Sequence, residues 1–368
     1  MTGRLAARFA LVAGTIVVCG IGALIIGEQM RGTPPTTGTP PTAGTPVPAG
    51  TQVPDGTPVP GGTPVPDGTP PIGDCSAQGG RRIEVMDALG LERALVAVRP
   101  GDVIHLAPGA YRGRFDASVS GTASAGIEVC GSRQAVLDGG GIDTGYGFHL
   151  QADFWTLEGF SITGSQKGVV LDHARHDVLR DLAIFGIGDE GVHFRAFSSD
   201  DVLADSDIHD VGQSNSRAGE GVYVGSAVDN WSVYSAGGPD RSDHNTIMNN
   251  RIGPNTTAES VDIKEGTSGT IVAGNRFDGR GMTAADSWVD AKGNAAKVRD
   301  NTGTHAPRDG FQTHRIVVGW GHRNRFTANH AQVDGPGYGF NIEGSDNFVA
   351  CNNVVTAADA GMANVPCG

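Results

Sequence analysis

The chain has 368 residues, a formal net charge of −13 and 57 glycines, with only 6% aromatic residues. Such acidity argues against a nucleic-acid partner and against broad attraction to polyanions, although a local lysine cluster can still take an anionic ligand. The glycine content and the scarcity of long helical patterns point to a turn-rich β architecture.

In chain order, Arg4 and Arg8 precede an uncharged apolar run from Phe9 to Gly27. That run is about long enough to span a bilayer. A positive flank before it fits export with the amino terminus inside, so residues 1–28 read as a signal anchor or signal peptide. No Ala-x-Ala site accompanies Ile25-Ile26-Gly27, which favours an uncleaved anchor and contact with a membrane through this segment. Cys19 follows Val17-Val18, residues bulkier than a lipidation site takes, and is read as buried in the membrane. Residues 29–73 then turn to Pro, Thr and Gly, with Gly-Thr-Pro-Val-Pro recurring at Gly44, Gly56 and Gly62. This composition cannot build a core and favours a semi-extended stalk. The expected location is extracellular, tethered or secreted.

Beyond the stalk stand Cys75, Cys130, Cys351 and Cys367, an even count in an oxidising setting. The first two bracket the start of a domain over residues 74–368 and the last two close its end, so that pairing is expected among the three connectivities that four cysteines allow. No Cys-x-x-Cys spacing supports a zinc site. The domain opens with a strand over Ile83–Val85 and an amphipathic helix presenting Ala88, Leu91, Leu95 and Val98 on one face. A solenoid needs its open end covered, and this helix is the expected cap. Strands follow at Val103–Leu106 and Ala135–Asp138, separated by Pro-Gly turns.

A short pattern then recurs: Phe148-His149-Leu150-Gln151, Val169-Val170-Leu171-Asp172, Val192-His193-Phe194-Arg195 and Val222-Tyr223-Val224-Gly225. It continues as Val261-Asp262-Ile263-Lys264, Val289-Asp290-Ala291-Lys292, Phe311-Gln312-Thr313-His314 and Phe340-Asn341-Ile342-Glu343. Residues two apart in a strand share a face, so each unit has an apolar face and a polar one. One unit cannot bury its apolar face alone, and successive units must stack. The expected fold is all-β, a right-handed single-stranded parallel β-helix with an N-terminal capping helix and about eight coils. Asn250, Asn275, Asn301, Asn329 and Asn353 recur at matching places and are expected to stack as a structural ladder at one turn. His173, His176 and His209 are placed at turns, with no role.

The coil rhythm, the Pro100-Gly101-Asp102 to Tyr111 segment and the Asn ladder resemble the pectin-lyase-like right-handed parallel β-helix superfamily, over nearly all of residues 80–355. A narrower likeness lies in Glu259-Ser260-Val261-Asp262-Ile263-Lys264, Asn275-Arg276-Phe277-Asp278-Gly279 and Lys292-Gly293-Asn294. These are similar to the stretch holding the catalytic Lys in the alginate lyase and chondroitinase B group of polysaccharide lyases. The resemblance implies that Lys264 is the base that removes the proton next to a uronate carboxylate. It also implies that Ca²⁺ is a possible cofactor; Glu259, Asp262 and Asp290 are the candidate ligands. The sequence departs from that group after Val289-Asp290, where Ala291-Lys292 stands in place of an Arg.

The polar column supports its own reading. Coils lie about 4.8 Å apart, so equivalent side chains are neighbours. Lys264 as base, Lys292 as neutraliser of the uronate charge, and Tyr223 or His314 as acid form a coherent set for β-elimination. Asp262, Asp290, Gln312, Glu343, His193 and Arg195 are candidate substrate-binding residues. Long inserts before Ile247 and around 304–310 are expected to wall a groove, and Trp231, Trp288 and Trp320 are candidates for stacking on sugar rings. A second enzymatic reading pairs Asp262 with Asp290 as glycosidase carboxylates, with Glu220 or Glu343 able to replace one. A third reading is a non-catalytic glycan-binding surface protein. The partner expected in each case is a polysaccharide, and the chain is expected to be a monomer.

Overall fold

The computed structural model describes Cys75 and residues 80–368. The expected signal segment, residues 1–28, and the stalk, residues 29–73, lie outside the described residues. Among the described residues no helix is long and apolar enough to cross a membrane.

Each repeat forms three short strands separated by corners, and the strands stack in parallel into sheets of 11, 10 and 10 strands. The chain passes along each coil from the first sheet through the second to the third. The result is a right-handed parallel β-helix of ten complete coils, the eleventh strand of the first sheet being Arg82–Val85. The recurring apolar–polar rhythm marks about eight coils because it depends on regular alternation. Two third-sheet strands escape it: Phe115–Ala117 has no introducing glycine, and Gly361–Ala363 carries Met362 in place of that glycine, in register with Gly339.

Inside the third sheet, Val222, Val261, Val289, Phe311 and Phe340 stand in register and are fully buried. The Phe311 and Phe340 rings stack at 5.1 Å and 10°. The residue before each of these positions sits at a corner that points inward. At Gly221 an added Cβ would come within 2.4 Å of the Ile252 side chain, so the close approach requires glycine. Trp288 occupies the same corner one coil after Ser260, and it fits because the facing residue is Gly303, whose added Cβ would lie 2.4 Å from the indole. Trp288 is thus a core residue, its Nε1–H donating to the Thr304 carbonyl, and not a platform for sugar.

The helix Ala88–Ala97, capped by the Asp87 side chain accepting from the Gly90 N–H at 2.7 Å, buries Leu91, Ala94 and Leu95 against the first coil. The cysteines pair as Cys75–Cys130 and Cys351–Cys367. The Asn ladder is present. Each Oδ1 from Asn275 to Asn353 accepts from the backbone N–H of the preceding ladder residue at 2.9–3.1 Å, while each Nδ2 reaches a carbonyl. Buried polar groups left open by the turn are satisfied in this way coil after coil.

Candidate active site

The register that builds the core also builds the polar column. Tyr223, Asp262, Asp290, Gln312 and Asn341 are consecutive partners on the outer face of the third sheet. Two residues further along each strand direction come Lys264, Lys292, His314 and Glu343. Lys264 Nζ donates to Asp262 Oδ2 at 2.6 Å, and Lys292 Nζ donates to Asp262 Oδ1 at 2.7 Å and to Asp290 Oδ2 at 2.8 Å. His314 Nδ1 lies 2.8 Å from Asp290 Oδ2. Lys264 Nζ also sits 4.8 Å from the centre of the Tyr223 ring.

Burial divides these groups. Asp262 and Asp290 are 1% and 3% exposed, and Lys292 is covered by them, whereas His314 keeps about a third of its side chain in solvent at 32%. Burial opposes charge on Lys292, but the Asp262 and Asp290 carboxylates hold its ammonium well above the usual lysine range. Burial likewise opposes ionisation of Asp290, and Lys292 with His314 overrides it, leaving that carboxyl below its ordinary value. His314 is raised by its hydrogen bond to Asp290. Burial, reinforced by the Asp262 and Glu220 carboxylates, pushes the Tyr223 phenol well above its ordinary value.

His193 and Arg195 are placed behind this surface, at 4% and 3% exposure. His193 Nε2–H donates to the Gly225 carbonyl at 2.9 Å, and its ring meets Tyr223 edge-on at 4.5 Å. Arg195 grips Asp172 through Nε at 2.6 Å and Nη2 at 2.9 Å, and its guanidinium lies 4.3 Å over the Tyr234 ring. Both residues therefore bear on the site through neighbours, not through sugar. Gln312 is also buried, its Nε2 donating to Asp309 Oδ2 at 2.8 Å. Glu343 is exposed, with Oε2 accepting from the Arg315 N–H at 2.9 Å.

The insert before Ile247 does line the site: Val228 N–H donates to Glu265 Oε1 at 2.7 Å and Tyr234 packs on Arg195. Its Arg241 reaches Trp320 at 5.8 Å, so the second wall comes from the segment after His314. Residues 305–308 are only a short connection between strands. Trp231 anchors the insert through Nε1–H to the Ser226 carbonyl at 3.0 Å.

Sequence reasoning missed Glu190 and did not place Glu220 beside the lysine cluster. Both precede a corner glycine, as Glu259 precedes Ser260, and that Glu–small pair was the available signal. The corner turns one residue inward and returns these carboxyls to the outer face. Glu220 Oε2 is buried without a partner, and burial with Asp262 and Glu190 nearby raises its pKa strongly. Glu259 is pushed up to about 7, chiefly by burial and by Asp262.

Carboxylate oxygens of Glu220, Glu259 and Asp262 lie within 4.8 Å of one another. They do not offer Ca²⁺ a ready set of oxygens: both Asp262 oxygens already accept from lysines, and Asp290 is held by Lys292 and His314. The glycosidase pairing meets the same obstacle, since both aspartates are occupied by cations and Asp290 is kept ionised.

No protein-family profile matches the sequence, and no curated protein matches it. Among solved structures the chain is similar to an alginate lyase from Paenibacillus sp. str. FPU-7, with 40% identity, 77% of this chain and 99% of that chain covered, and a TM-score of 0.73. A rhamnogalacturonan lyase (14% identity, 78% and 85% covered, TM-score 0.60) and the pectate lyase Pel9A (15%, 76% and 80%, 0.53) share the fold.

Proposed function

This chain belongs to the polysaccharide lyase family of the Paenibacillus alginate lyase, and from that premise we propose that it cleaves alginate or a closely similar uronate polymer by β-elimination at the Lys264–Tyr223 pair. The observation that carries the assignment is the placement of the Lys264 amine, anchored by Asp262 at 2.6 Å and 4.8 Å from the ring of a phenol that burial keeps protonated.

In this reading Lys264, entering the step as the neutral amine, takes the proton from C5 of the uronate, the electron pair forms the C4–C5 double bond, and the C4–O4 bond breaks. Tyr223 donates its proton to the departing oxygen. His314, the most exposed basic group of the cluster and one whose pKa Asp290 raises, faces the substrate carboxylate and, when protonated, makes the C5 proton more acidic. Lys292, held between two carboxylates, keeps Asp262 and Asp290 in place and supplies a fixed positive field. His193 and Arg195 position Tyr223 and Tyr234. The two disulfides suit an oxidising, extracellular setting.

The test offers the full chain alginate, pectate, glucuronan and glycosaminoglycans and follows the ultraviolet absorbance of unsaturated uronate ends. Absorbance that appears with alginate and vanishes in Lys264→Ala is the expected result. New reducing ends without that absorbance would replace the elimination with hydrolysis.

A further inference from the structure

A cavity of about 540 Å³ lies on the second sheet, away from the catalytic column, lined by Arg133, Phe185, Asp207, His209, Arg251 and Pro254 among others. A further hollow of about 210 Å³ shares Arg251 and Pro254 with it and continues across Arg276 and Arg280. The groove thus runs along the helix axis over successive coils.

Its charges are unusual for a protein of net charge −13. Arg251 and Arg276 are in-register partners on adjacent strands and both are exposed. Like charges directly opposite one another on a sheet destabilise it. Asp207 lies 3.5 Å from both Arg133 and Arg251, so it is shared between them. Among the described residues Arg276 has neither an ion pair nor a side-chain hydrogen bond. Beside these arginines, the Phe185 and His209 rings stack at 5.4 Å and 5°. His209 is the last residue of the strand Asp207–His209, not a turn residue as its sequence context suggests. The next coil presents Gly253 and Pro254 to the cavity, leaving space along the ring stack.

We propose that this groove is a second, non-catalytic binding site for an anionic polysaccharide. Arg251 and Arg276 take carboxylates of a polymer lying across the coils, and the Phe185–His209 stack contacts a sugar ring. A polymer with one carboxylate per ring presents its charges in series, as arginines one coil apart require. The choice of a uronate chain rests on the lyase reading; the groove itself does not. Its use is to hold long substrate on the enzyme between turnovers.

The test is affinity electrophoresis of the full chain in gels containing alginate, in a Lys264→Ala background that leaves the polymer intact. Adding Arg251→Glu and Arg276→Glu should weaken retention roughly tenfold, about 1.4 kcal/mol. In the chain retaining Lys264, the same pair should raise KM for long alginate and leave kcat/KM for short oligosaccharides unchanged. Both side chains are exposed, so the fold should survive both changes, as a thermal melt checks; Arg251→Gln with Arg276→Gln, which puts no new carboxylate beside Asp207, should give an intermediate loss of retention. Unchanged retention and unchanged KM on polymer would overturn the proposal, as would equal retention by single-stranded DNA. If the wild type makes no unsaturated product, the lyase reading falls, while retention in the gel still decides whether the groove binds.

Discussion

Lys264 and Lys292 share one carboxylate: each donates to a different oxygen of Asp262, at 2.6 and 2.7 Å. The two lysines come from adjacent coils and hold equivalent places, but their surroundings differ. Lys292 has a second carboxylate, Asp290 at 2.8 Å, whereas the other neighbour of Lys264 is the Tyr223 ring. Lys292 is thus held between two carboxylates, Lys264 by one.

Asp262→Asn removes the group that places Lys264 and leaves Lys292 with Asp290 alone. Turnover should fall by about a hundredfold or more, the scale of losing a positioned general base. The melting temperature should also drop, because a buried ammonium loses one of its two counter-charges. Since both Asp262 oxygens are taken by lysines, a chelator should leave wild-type turnover unchanged. Absorbance kinetics with and without chelator, beside a thermal melt, check all three.

Tyr223→Phe and His314→Gln separate the acid from the neutraliser. Loss of the phenol proton should lower kcat by about 10²–10⁴-fold with little change in KM. His314→Gln should instead weaken substrate binding, and its stability effect has a sign. Asp290 raises the His314 pKa, so the stabilisation is present below the unfolded value and is lost as pH rises through the folded one. The substitution should therefore lower the melting temperature at pH 5–6 and not at pH 9.

Asp177 and Asp201 occupy a second ladder, in which Asp177 N–H donates to Asp201 Oδ1 and Asp201 N–H donates to Asn245 Oδ1, each at 3.0 Å. Their Oδ2 atoms are buried without partners. Burial leads in raising both, Asp177 to about 8. The folded state therefore holds protons that the unfolded state has lost, and stability declines as pH rises from about 4 to 8. Asp177→Asn keeps the acceptor for the Trp155 N–H and removes the ionisation. It should stabilise the fold by about 2–4 kcal/mol at pH 9 and do little at pH 4, as read by urea unfolding at both values.

Asn275→Ala breaks the main ladder at its second rung. Asn275 Oδ1 accepts from the Asn250 N–H at 2.9 Å, and its Nδ2 donates to the Ile247 carbonyl at 2.9 Å and to Asn301 Oδ1 at 3.0 Å. Orphaned buried groups cost about 1–3 kcal/mol each, so a loss of about 4 kcal/mol is expected in urea unfolding.

The repeat itself was legible in the sequence. Period-two alternation in Val261–Lys264 and Val289–Lys292 determined which side chains face outward, and stacking in register made Tyr223, Asp262 and Asp290 neighbours. The Asn ladder followed from spacing, whereas the four cysteines left three pairings from which the structure takes Cys75–Cys130 and Cys351–Cys367. Backbone hydrogen bonding between coils is the reason: once strands are parallel and in register, equivalent positions must meet. What the repeat does not encode is depth and partner. Only the tertiary structure enclosed Lys292, drew His193 and Arg195 under the surface, turned Trp288 into the core opposite Gly303, and returned Glu190 and Glu220 to the outer face. Those outcomes depend on corner geometry and on an insert that brings Tyr234 over Arg195. Side-chain burial and ion pairing are set by what packs on top of a strand, and that comes from residues far away in sequence.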